Sequence, residues 1–256
     1  MLRSLNTAST GMTAQQQNID VISNNIANVN TTSFKKGRAE FKDLLYQNMS
    51  YSAGANESQE KQVGLGTKLS GVYNNFEQGS LRETGNSLDL AVAGKGFFRV
   101  INGSGEPVYT RDGSFKIDPE GRLLTTNGYY LDSNIVIPPE VTGVLVRANG
   151  SVQVQNQDGT NEILGTIPLN MFPNEAGLKL LGNNTYQQTV NSGDAVETDP
   201  GFNGSGQIES GFLETSNVTL VVEMTNLITA QRAYEANSKI IQSSDEILKT
   251  VNQLKR

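Results

Sequence analysis

Apolar residues recur at alternating spacings of four and three residues in two segments, one at each end of the chain. The first seam runs from Met1 to Val29, and the second runs from Leu220 to Leu254. This spacing is typical of helices that pair side by side through their a and d positions. If the two seams pair with each other, the chain between them is an insertion.

The two segments differ in their intrinsic helix propensity. No glycine or proline occurs after Val218, and Ser216 or Asn217 is the expected N-cap, so the second segment predicts one helix of roughly forty residues. The first segment contains Gly11, which costs a helix about 1 kcal/mol relative to alanine. The residues expected to meet across the helix pair are Leu5, Met12, Ile19, Ile22 and Ile26 from the first segment and Leu220, Leu227, Tyr234, Ile241 and Leu248 from the second.

Between the helical segments, short runs of alternating apolar and polar residues are separated by turn signals, which predicts a mostly β region. Asn-Gly and Asp-Gly pairs favour tight hairpin turns because such turns need positive φ angles. The predicted features are a strand, glycine turn and strand over 88–101, a hairpin over 107–118 with Asp112-Gly113 at its tip, a turn at 118–122, a hairpin over 144–155 on Asn149-Gly150, and a further hairpin opened by Asp158-Gly159.

These elements predict an α+β fold in which long N- and C-terminal helices pair as a coiled coil and a mainly antiparallel β domain is inserted between them. Residues 1–30 and 216–256 are assigned to a helical domain, 31–74 to a connector segment and 75–215 to the β domain. The stretch GLGTKLSG at 64–71 lacks the spacing of a phosphate-binding loop, so we interpret it as a flexible part of the connector.

Composition narrows the function classes. The chain contains no histidine and no cysteine, which excludes a Ser-His-Asp triad, metals bound by histidine or thiolate, and cysteine nucleophiles. The formal net charge of −6 and the lack of a basic tract argue against nucleic-acid binding. We therefore expect no enzyme activity, no cofactor and no metal. Because no long apolar run occurs, neither a cleaved secretion signal nor a membrane span is predicted.

The first seam ends in the stretch NNIANVNTTSFKK at residues 24–36. Asparagine and threonine favour caps and turns over helix interiors, and cations are favoured at helix C-termini. The stretch is therefore either an ordinary cap and turn or a specialised joint in which Phe34 anchors the outgoing chain. The residues assigned to this joint are Asn24, Asn25, Asn28, Asn30, Thr31, Phe34 and Lys35.

The helical seams include asparagine and glutamine, so an isolated pair of these helices buries too little apolar surface to become firmly ordered. Two further surfaces could supply the missing burial. We favour other copies of the same chain, in the manner of coupled folding and binding. The alternative is that the helices pack on the chain's own β domain.

Four stretches resemble one protein family. SNNIANVNTTSFKKGRAEFKDLLYQ at 23–47 is similar to the N-terminal signature of bacterial flagellar rod and hook proteins, and 214–248 is similar to their C-terminal signature. GNSLDLAVAGKGFF at 85–98 and YTRDGSFKID at 109–118 resemble the family's core. The resemblance covers essentially the whole chain and is closest to the distal rod members. The family commonly has glycine before the signature phenylalanine, whereas this chain has Ser33, which weakens the expectation of a positive φ there.

The resemblance implies a structural subunit of the distal rod of the flagellar basal body. The terminal helices would stack into the inner tube of a hollow helical polymer, the connector would brace neighbouring subunits, and the β domain would form the outer layer. The polymer would transmit torque from motor to hook and serve as an export channel.

The resemblance also implies partners and a location. The implied partners are other copies of the chain, proximal rod proteins, hook or hook-junction proteins, rod-surrounding ring proteins and the flagellar type III export apparatus, with no nucleic acid. The implied location is the basal body, as a periplasmic rod directed towards the outer membrane and exported without a Sec signal.

Three other functions stay open at this point. The first is a proximal rod or hook-type subunit of the same family. The second is a carboxylate-dependent cell-wall hydrolase, although no carboxylate pair stands out in the sequence. The third is a general fibrous adhesin, whose loss would leave motility intact.

Overall fold

The computed structural model describes residues 2–52, 58–139, 141–156 and 160–254. Helix α1 (Leu2–Ala27) comes first and helix α2 (Leu220–Leu254) comes last, with a short 3₁₀ turn at Glu175–Gly177. The strands between the helices are β1 (Gly37–Asp43), β2 (Tyr46–Ser52), β3 (Ser58–Gly64), β4 (Thr67–Asn74), β5 (Leu81–Glu83), β6 (Leu90–Ala93), β7 (Phe98–Ile101), β8 (Pro107–Thr110), β9 (Phe115–Ile117), β10 (Leu123–Thr125), β11 (Tyr130–Leu131), β12 (Val141–Val146), β13 (Ser151–Asn156), β14 (Asn161–Thr166), β15 (Leu169–Met171), β16 (Lys179–Gly182), β17 (Thr185–Gln187), β18 (Val196–Thr198), β19 (Gln207–Ser210) and β20 (Phe212–Glu214).

The chain divides into two compact units. The helical unit contains Met1–Ala27, Gly37–Asn75 and Thr219–Arg256, and the β unit contains Asn28–Lys36 and Phe76–Val218. This division differs from the predicted domains in three places, one of which is residues 216–218, which belong with the β unit instead of with the second helix. Residues 37–74, expected to form part of a separate connector, belong with the helices, as does Asn75, which was expected in the β domain. Residues 28–36 belong with the β unit instead of with the first helix or the connector.

In the helical unit, α1 and α2 pack side by side through small and polar residues. A Cβ added at Gly11 would lie 3.0 Å from Nδ2 of Asn237, so the glycine permits a close approach of the two helices. The buried residues are Ala8, Ala14, Ile22 and Asn25 in α1 and Glu223, Ala230 and Ser244 in α2. The glycine that weakens an isolated helix is therefore a contact point in the pair. Coiled-coil geometry stays a prediction.

Strands β1 to β4 occupy most of the described residues from 37 to 74, which were assigned to the connector, with GLGTKLSG as its flexible part. β1 pairs with β4, and β2 pairs with β3, both antiparallel. GLGTKLSG includes the end of β3 and most of β4. The interpretation of a flexible segment was wrong because ladder hydrogen bonds can order polar, glycine-rich strands that lack a clear apolar alternation.

The β1–β4 ribbon packs against α1 within the helical unit. A Cβ added at Gly66 would lie 2.2 Å from Oγ1 of Thr10, and a Cβ added at Gly37 would lie 3.5 Å from Cγ1 of Val21. Glycines at these two positions allow the ribbon backbone to lie directly on the helix. These contacts explain why the ribbon belongs with the helices.

The largest sheet of the β unit has the strand order β16-β17-β8-β7-β11-β10-β9, with antiparallel pairings throughout. Further antiparallel pairings join β12-β13-β14, β15-β18, β19-β6 and β20-β5. A main apolar core includes Leu90, Val92, Phe98, Val100, Phe115, Val152 and Ile208. A second cluster consists of Phe97, Tyr109, Phe172, Leu178 and Tyr186. The predicted α+β class with a mainly antiparallel β region is confirmed.

Two of the predicted turns are confirmed. β9 pairs with β10 across the 118–122 turn, and the N–H of Gly121 donates to the carbonyl of Asp118 at 2.8 Å. β12 pairs with β13 across Asn149-Gly150, where Gly150 has a φ of +80°. β13 also pairs with β14, but the Asp158-Gly159 tip lies outside the described residues.

The predicted hairpin at Asp112-Gly113 was wrong. β8 pairs with β7 and β17, whereas β9 pairs with β10. Between β8 and β9, the chain passes close to β6, where the N–H of Leu90 donates to the carbonyl of Gly113 at 3.0 Å. Strands were correctly placed in 88–101, but β6 pairs with β19 while β7 joins the large sheet. At Asp112-Gly113, turn chemistry thus located the strand ends without identifying the strand partners.

α2 begins later than predicted. The N–H of Glu223 donates to the carbonyl of Thr219 at 3.1 Å, so Thr219 occupies the N-cap position expected for Ser216 or Asn217. α2 then continues without a break to Leu254, as the absence of glycine and proline predicted. Within the described part of the chain, neither helix combines the length and the apolar character needed to cross a membrane.

Candidate functional site

The buried amide of Asn25 connects three segments of the helical unit. Its Nδ2 donates to the carbonyl of Gly37 at 2.9 Å, and its Oδ1 accepts the N–H of the same residue at 2.9 Å. Nδ2 also lies within hydrogen-bond distance of Oε2 of the buried Glu223, at 3.3 Å. Asn25 therefore joins α1 to the first residue of β1 and to the first turn of α2.

A turn follows the end of α1. The N–H of Thr31 donates to the carbonyl of Asn28 at 3.1 Å, and its Oγ1 donates to Oδ1 of the same asparagine at 3.1 Å. Asn24 and Asn30 are exposed, and Phe34 is only half-buried. We refer to residues 28–36 as the joint segment. Its most deeply buried members are Ser33 and Lys35, which lie on either side of the predicted anchor Phe34.

Ser33 adopts a positive φ of +55°, the conformation for which glycine was the expected residue. The serine is 1% exposed. Its N–H donates to the carbonyl of Glu214 at 2.8 Å, and its Oγ donates to the carbonyl of Arg111 at 2.9 Å. These two hydrogen bonds offset the unfavourable backbone conformation, so the turn persists with serine in place of glycine.

Lys35, Arg111 and Glu214 form a buried charge cluster in the β unit. Nζ of Lys35 lies 2.6 Å from Oε1 of Glu214, and Nε of Arg111 lies 3.1 Å from Oε2. Nζ also donates to the carbonyl of Glu77 at 2.8 Å. Burial lowers the pKa of the Lys35 ammonium, and the neighbouring Arg111 lowers it further, whereas Glu214 raises it. The cluster thus carries two cations and one carboxylate.

The remaining guanidinium contacts of Arg111 lie among backbone carbonyls and an aromatic ring. Nη2 donates to the carbonyl of Val92 at 3.4 Å and to that of Gly94. The guanidinium carbon lies 5.6 Å from the ring centroid of Phe97. Carbonyl dipoles and the ring face both stabilise a buried guanidinium. Arg111 therefore has support beyond its pairing with Glu214.

Asn217 binds the joint segment next to this cluster. Its Oδ1 accepts the N–H of Lys36 at 2.8 Å, its N–H donates to the carbonyl of Phe34 at 3.4 Å, and its Nδ2 donates to the carbonyl of Glu77 at 3.0 Å. This residue was predicted as a helix cap. It holds the outgoing end of the joint segment instead, because the helix starts three residues later.

The predicted assembly residues differ in exposure. Leu5, Met12, Ile19 and Ile26 of α1 are half-buried and Ile22 is buried, while Leu227, Ile241 and Leu248 of α2 are half-buried. Leu220 and Tyr234 are exposed. Their role in assembly stays a prediction.

Large apolar side chains are exposed along α2. The first group is Leu220, Val221, Val222, Met224 and Ile228, and the second is Ile240, Ile247, Val251 and Leu254. The second group has the spacing of a heptad stripe and lies beside the seam that contacts α1. Among residues 3–27, by contrast, α1 exposes no large apolar side chain.

A polar cavity in the β unit bears on the hydrolase alternative. Its volume is about 490 Å³, and its lining includes Arg99, Asp132 and Glu197. The Arg99 guanidinium lies between the carboxylates, with Nε 2.7 Å from Asp132 and Nη1 3.8 Å from Glu197. Both carboxylates are therefore partners of the same guanidinium in partly exposed ion pairs. Within the described residues, no group of three acidic side chains could hold a metal ion.

Sequence reasoning missed Ser33, Arg111 and Glu214 as joint residues. The sequence contained one indication of this cluster, at Lys35. A lysine in such a signature either faces solvent or, when it is buried, needs a carboxylate partner. Nothing in the sequence indicated that this carboxylate is Glu214, 179 residues away. Glu214 is the last residue of β20, which pairs with β5, and its carbonyl accepts the N–H of Ser33 in the joint segment.

Three family descriptions match successive parts of the chain. "Flagella basal body rod protein" matches residues 5–35, "Flagellar hook protein FlgE/F/G D1 domain" matches 91–154, and "Flagellar basal body rod FlgEFG protein C-terminal" matches 209–254. The first match covers α1 from residue 5 onward and most of the joint segment, and the last includes Glu214, Asn217 and α2.

The chain is similar over its full length to several named proteins. It is 44% identical to the flagellar basal-body rod protein FlgG of Borreliella burgdorferi, with both chains covered completely. It is 43% identical to the FlgG of Caulobacter vibrioides, over 99% of this chain and all of the other. It is 32% identical to the flagellar hook-basal body complex protein FlhP of Bacillus subtilis, again over the full length of both.

Proposed function

The chain belongs to the family of flagellar basal-body rod proteins, and on this basis we propose that it is a structural subunit of the distal rod. Relatives named FlgG support the rod assignment, at 40–44% identity over essentially full length. The proposed role is structural and not enzymatic. The proposed location is the basal body, as a periplasmic rod directed towards the outer membrane after export without a Sec signal.

We base the proposal that this chain polymerises on the exposed apolar stripe of α2, which consists of Ile240, Ile247, Val251 and Leu254. Contiguous exposed apolar surface indicates an interaction site, and heptad spacing suits a helical partner. Since α1 already covers the neighbouring seam of α2, further helices would have to come from other copies. Packing of α2 against neighbouring subunits would produce a tube of helices.

The remaining parts have proposed roles in the same polymer. The strands β1 to β4 would contact neighbouring subunits through the edges at which no other strand of the described residues pairs with them. The tube would act as a drive shaft from motor to hook and as an export channel. The proposed partners are other copies of the chain, proximal rod proteins, hook or hook-junction proteins, surrounding ring proteins and the type III export apparatus.

A proximal rod or hook-type subunit is the second candidate, because the FlhP protein of Bacillus subtilis is also related over the full length. Electron microscopy of basal bodies from a strain lacking this chain would separate the candidates. We expect a rod stub that ends before its distal part and carries no hook. A complete rod lacking only its hook would favour a hook-type subunit, and intact basal bodies would contradict both assignments.

A pair of variants tests the α2 stripe directly. We expect Ile240→Asp combined with Ile247→Asp to abolish rod assembly while the purified chain stays folded, because charges on the stripe prevent close packing of a second helix. Gln242→Asp, at an exposed polar position on the same helix, is the control. Rods of normal length from the double variant would contradict the assembly role of the stripe.

A further inference from the structure

Glu214 contacts four residues of the β unit, which lie in three segments that are distant along the chain. Its carbonyl accepts the N–H of Ser33 at 2.8 Å. Its Oε1 accepts Nζ of Lys35 at 2.6 Å and the N–H of Gly79 at 2.8 Å, and its Oε2 accepts Nε of Arg111 at 3.1 Å. One residue at the end of β20 therefore completes the hydrogen bonding around the buried part of the joint segment.

The charge balance of this site depends on Glu214. The side chains of Lys35 and Glu214 are fully buried, and that of Arg111 is 1% exposed. Without the carboxylate, docking of the joint segment would bury the Lys35 ammonium beside the Arg111 guanidinium with no anion between them. Uncompensated buried charges are strongly unfavourable, so the docked conformation requires the carboxylate. The direction of the Lys35 pKa shift agrees with an environment that disfavours its charge.

Removing Lys35 has a different consequence. Oε1 of Glu214 would keep the Gly79 N–H, and the carbonyl of Glu77 would keep Nδ2 of Asn217. No buried acceptor of this cluster would lose its last partner, and one cation would face one carboxylate. The joint segment would also keep the two hydrogen bonds of Ser33. Lys35 is therefore not required to keep the joint segment docked.

Glu214 reaches the site only through tertiary pairing. It lies opposite Leu81 in the β20-β5 pair, and it follows Lys35 by 179 residues. We propose that Lys35 and Glu214 together make docking of the N-terminal joint segment conditional on β20: the buried lysine prevents docking until β20 brings its carboxylate to the site. Lys35 is thus a positioning residue that links the two ends of the β unit, rather than a residue that adds stability.

Hydrogen exchange in the full-length chain tests this proposal. The reporters are the amides of Ser33 and Lys36 in the joint segment, with those of β7 and β8 as an internal reference. We expect Glu214→Gln to accelerate exchange at the joint amides by at least about tenfold while β7 and β8 stay protected. Lys35→Met should change the joint amides by less than about threefold.

The double variant Lys35→Met with Glu214→Gln gives the decisive comparison. Because no buried ammonium then opposes docking, the joint amides should return to within about threefold of the Lys35→Met rates. Asp132→Asn, which removes a partly exposed carboxylate from the same unit, is the control and should leave the joint amides unchanged.

Three outcomes would overturn the proposal. The first is unchanged joint exchange in Glu214→Gln. The second is a double variant as unprotected as Glu214→Gln, which would give Glu214 a role independent of Lys35. The third is equal loss of protection in the joint segment and in β7 and β8. If Glu214→Gln alone does not fold, the test is the comparison of the joint-amide exchange rates of Lys35→Met and of the double variant. A double variant that also fails to fold contradicts the proposal.

Discussion

The side-chain amide of Asn25 forms two hydrogen bonds with the backbone of Gly37, each 2.9 Å long. It thereby provides the same donor and acceptor that a neighbouring strand would offer at that position. α1 consequently holds the first residue of the ribbon without a strand partner on that side. These hydrogen bonds assign a specific structural role to Asn25, which the sequence alone does not distinguish from the other asparagines of the stretch.

Asn25→Ala should destabilise the helical unit by about 2–3 kcal/mol, because it removes the acceptor of the Gly37 N–H and the donor to the Gly37 carbonyl, both in part-buried hydrogen bonds. The measurement is chemical denaturation of the full-length chain followed by a probe in that unit. Asn30→Ala is a matched control, since Asn30 is exposed in the same stretch. Equal effects of the two substitutions would contradict the special position of Asn25.

Substitutions of Ser33 should separate backbone conformation from hydrogen bonding. Ser33→Ala loses the Oγ bond to Arg111 and keeps a side chain at a φ of +55°, so a loss of about 1–2 kcal/mol is expected. Ser33→Gly loses the same bond but relieves the backbone, and its stability should exceed that of Ser33→Ala by about 1 kcal/mol. Equilibrium unfolding of both variants gives the order. The reverse order would show that backbone strain is not significant here.

Gly113→Ala should destabilise the β unit by at least about 3 kcal/mol. The new Cβ would lie 1.6 Å from the carbonyl oxygen of Leu90, so β6 and the segment before β9 would have to separate. Gly143→Ala is the control because a Cβ there meets no atom within 4 Å. Thermal unfolding measures the difference, and similar melting temperatures for the two variants would rule out the close approach.

The stability of the β unit should decrease at alkaline pH. Burial raises the pKa of Tyr186 well above its ordinary value, so the native state keeps a proton that the unfolded chain releases. This contribution is complete below about pH 10 and falls by about 1.4 kcal/mol per pH unit between the unfolded and folded pKa values. Tyr186→Phe should therefore show a shallower alkaline loss than the parent chain in urea unfolding at pH 9–11.

Tyr109, whose pKa is also raised by burial, should keep part of the slope in Tyr186→Phe. Identical slopes for the parent chain and Tyr186→Phe would contradict the burial of the Tyr186 hydroxyl.

Local patterns predicted local structure well. The run without glycine or proline predicted the continuous α2, and Asn149-Gly150 predicted the β12–β13 turn. Both depend on interactions among residues that are neighbours in sequence. The family signatures at the two ends were recognisable for the same reason, because each is a contiguous stretch. The connector was misjudged because a polar ribbon is ordered by ladder partners rather than by its own apolar pattern.

By itself, then, the sequence determined the two helices, the β character of the middle, several turns and the family. The tertiary structure alone decided which strands pair, that Ser33 takes a positive φ, and that Glu214 neutralises charge at Lys35. The physical reason is that ladder partners and buried counter-charges are selected by the free energy of the whole packed unit. Residues 179 positions apart can satisfy each other only after the intervening strands have placed them together.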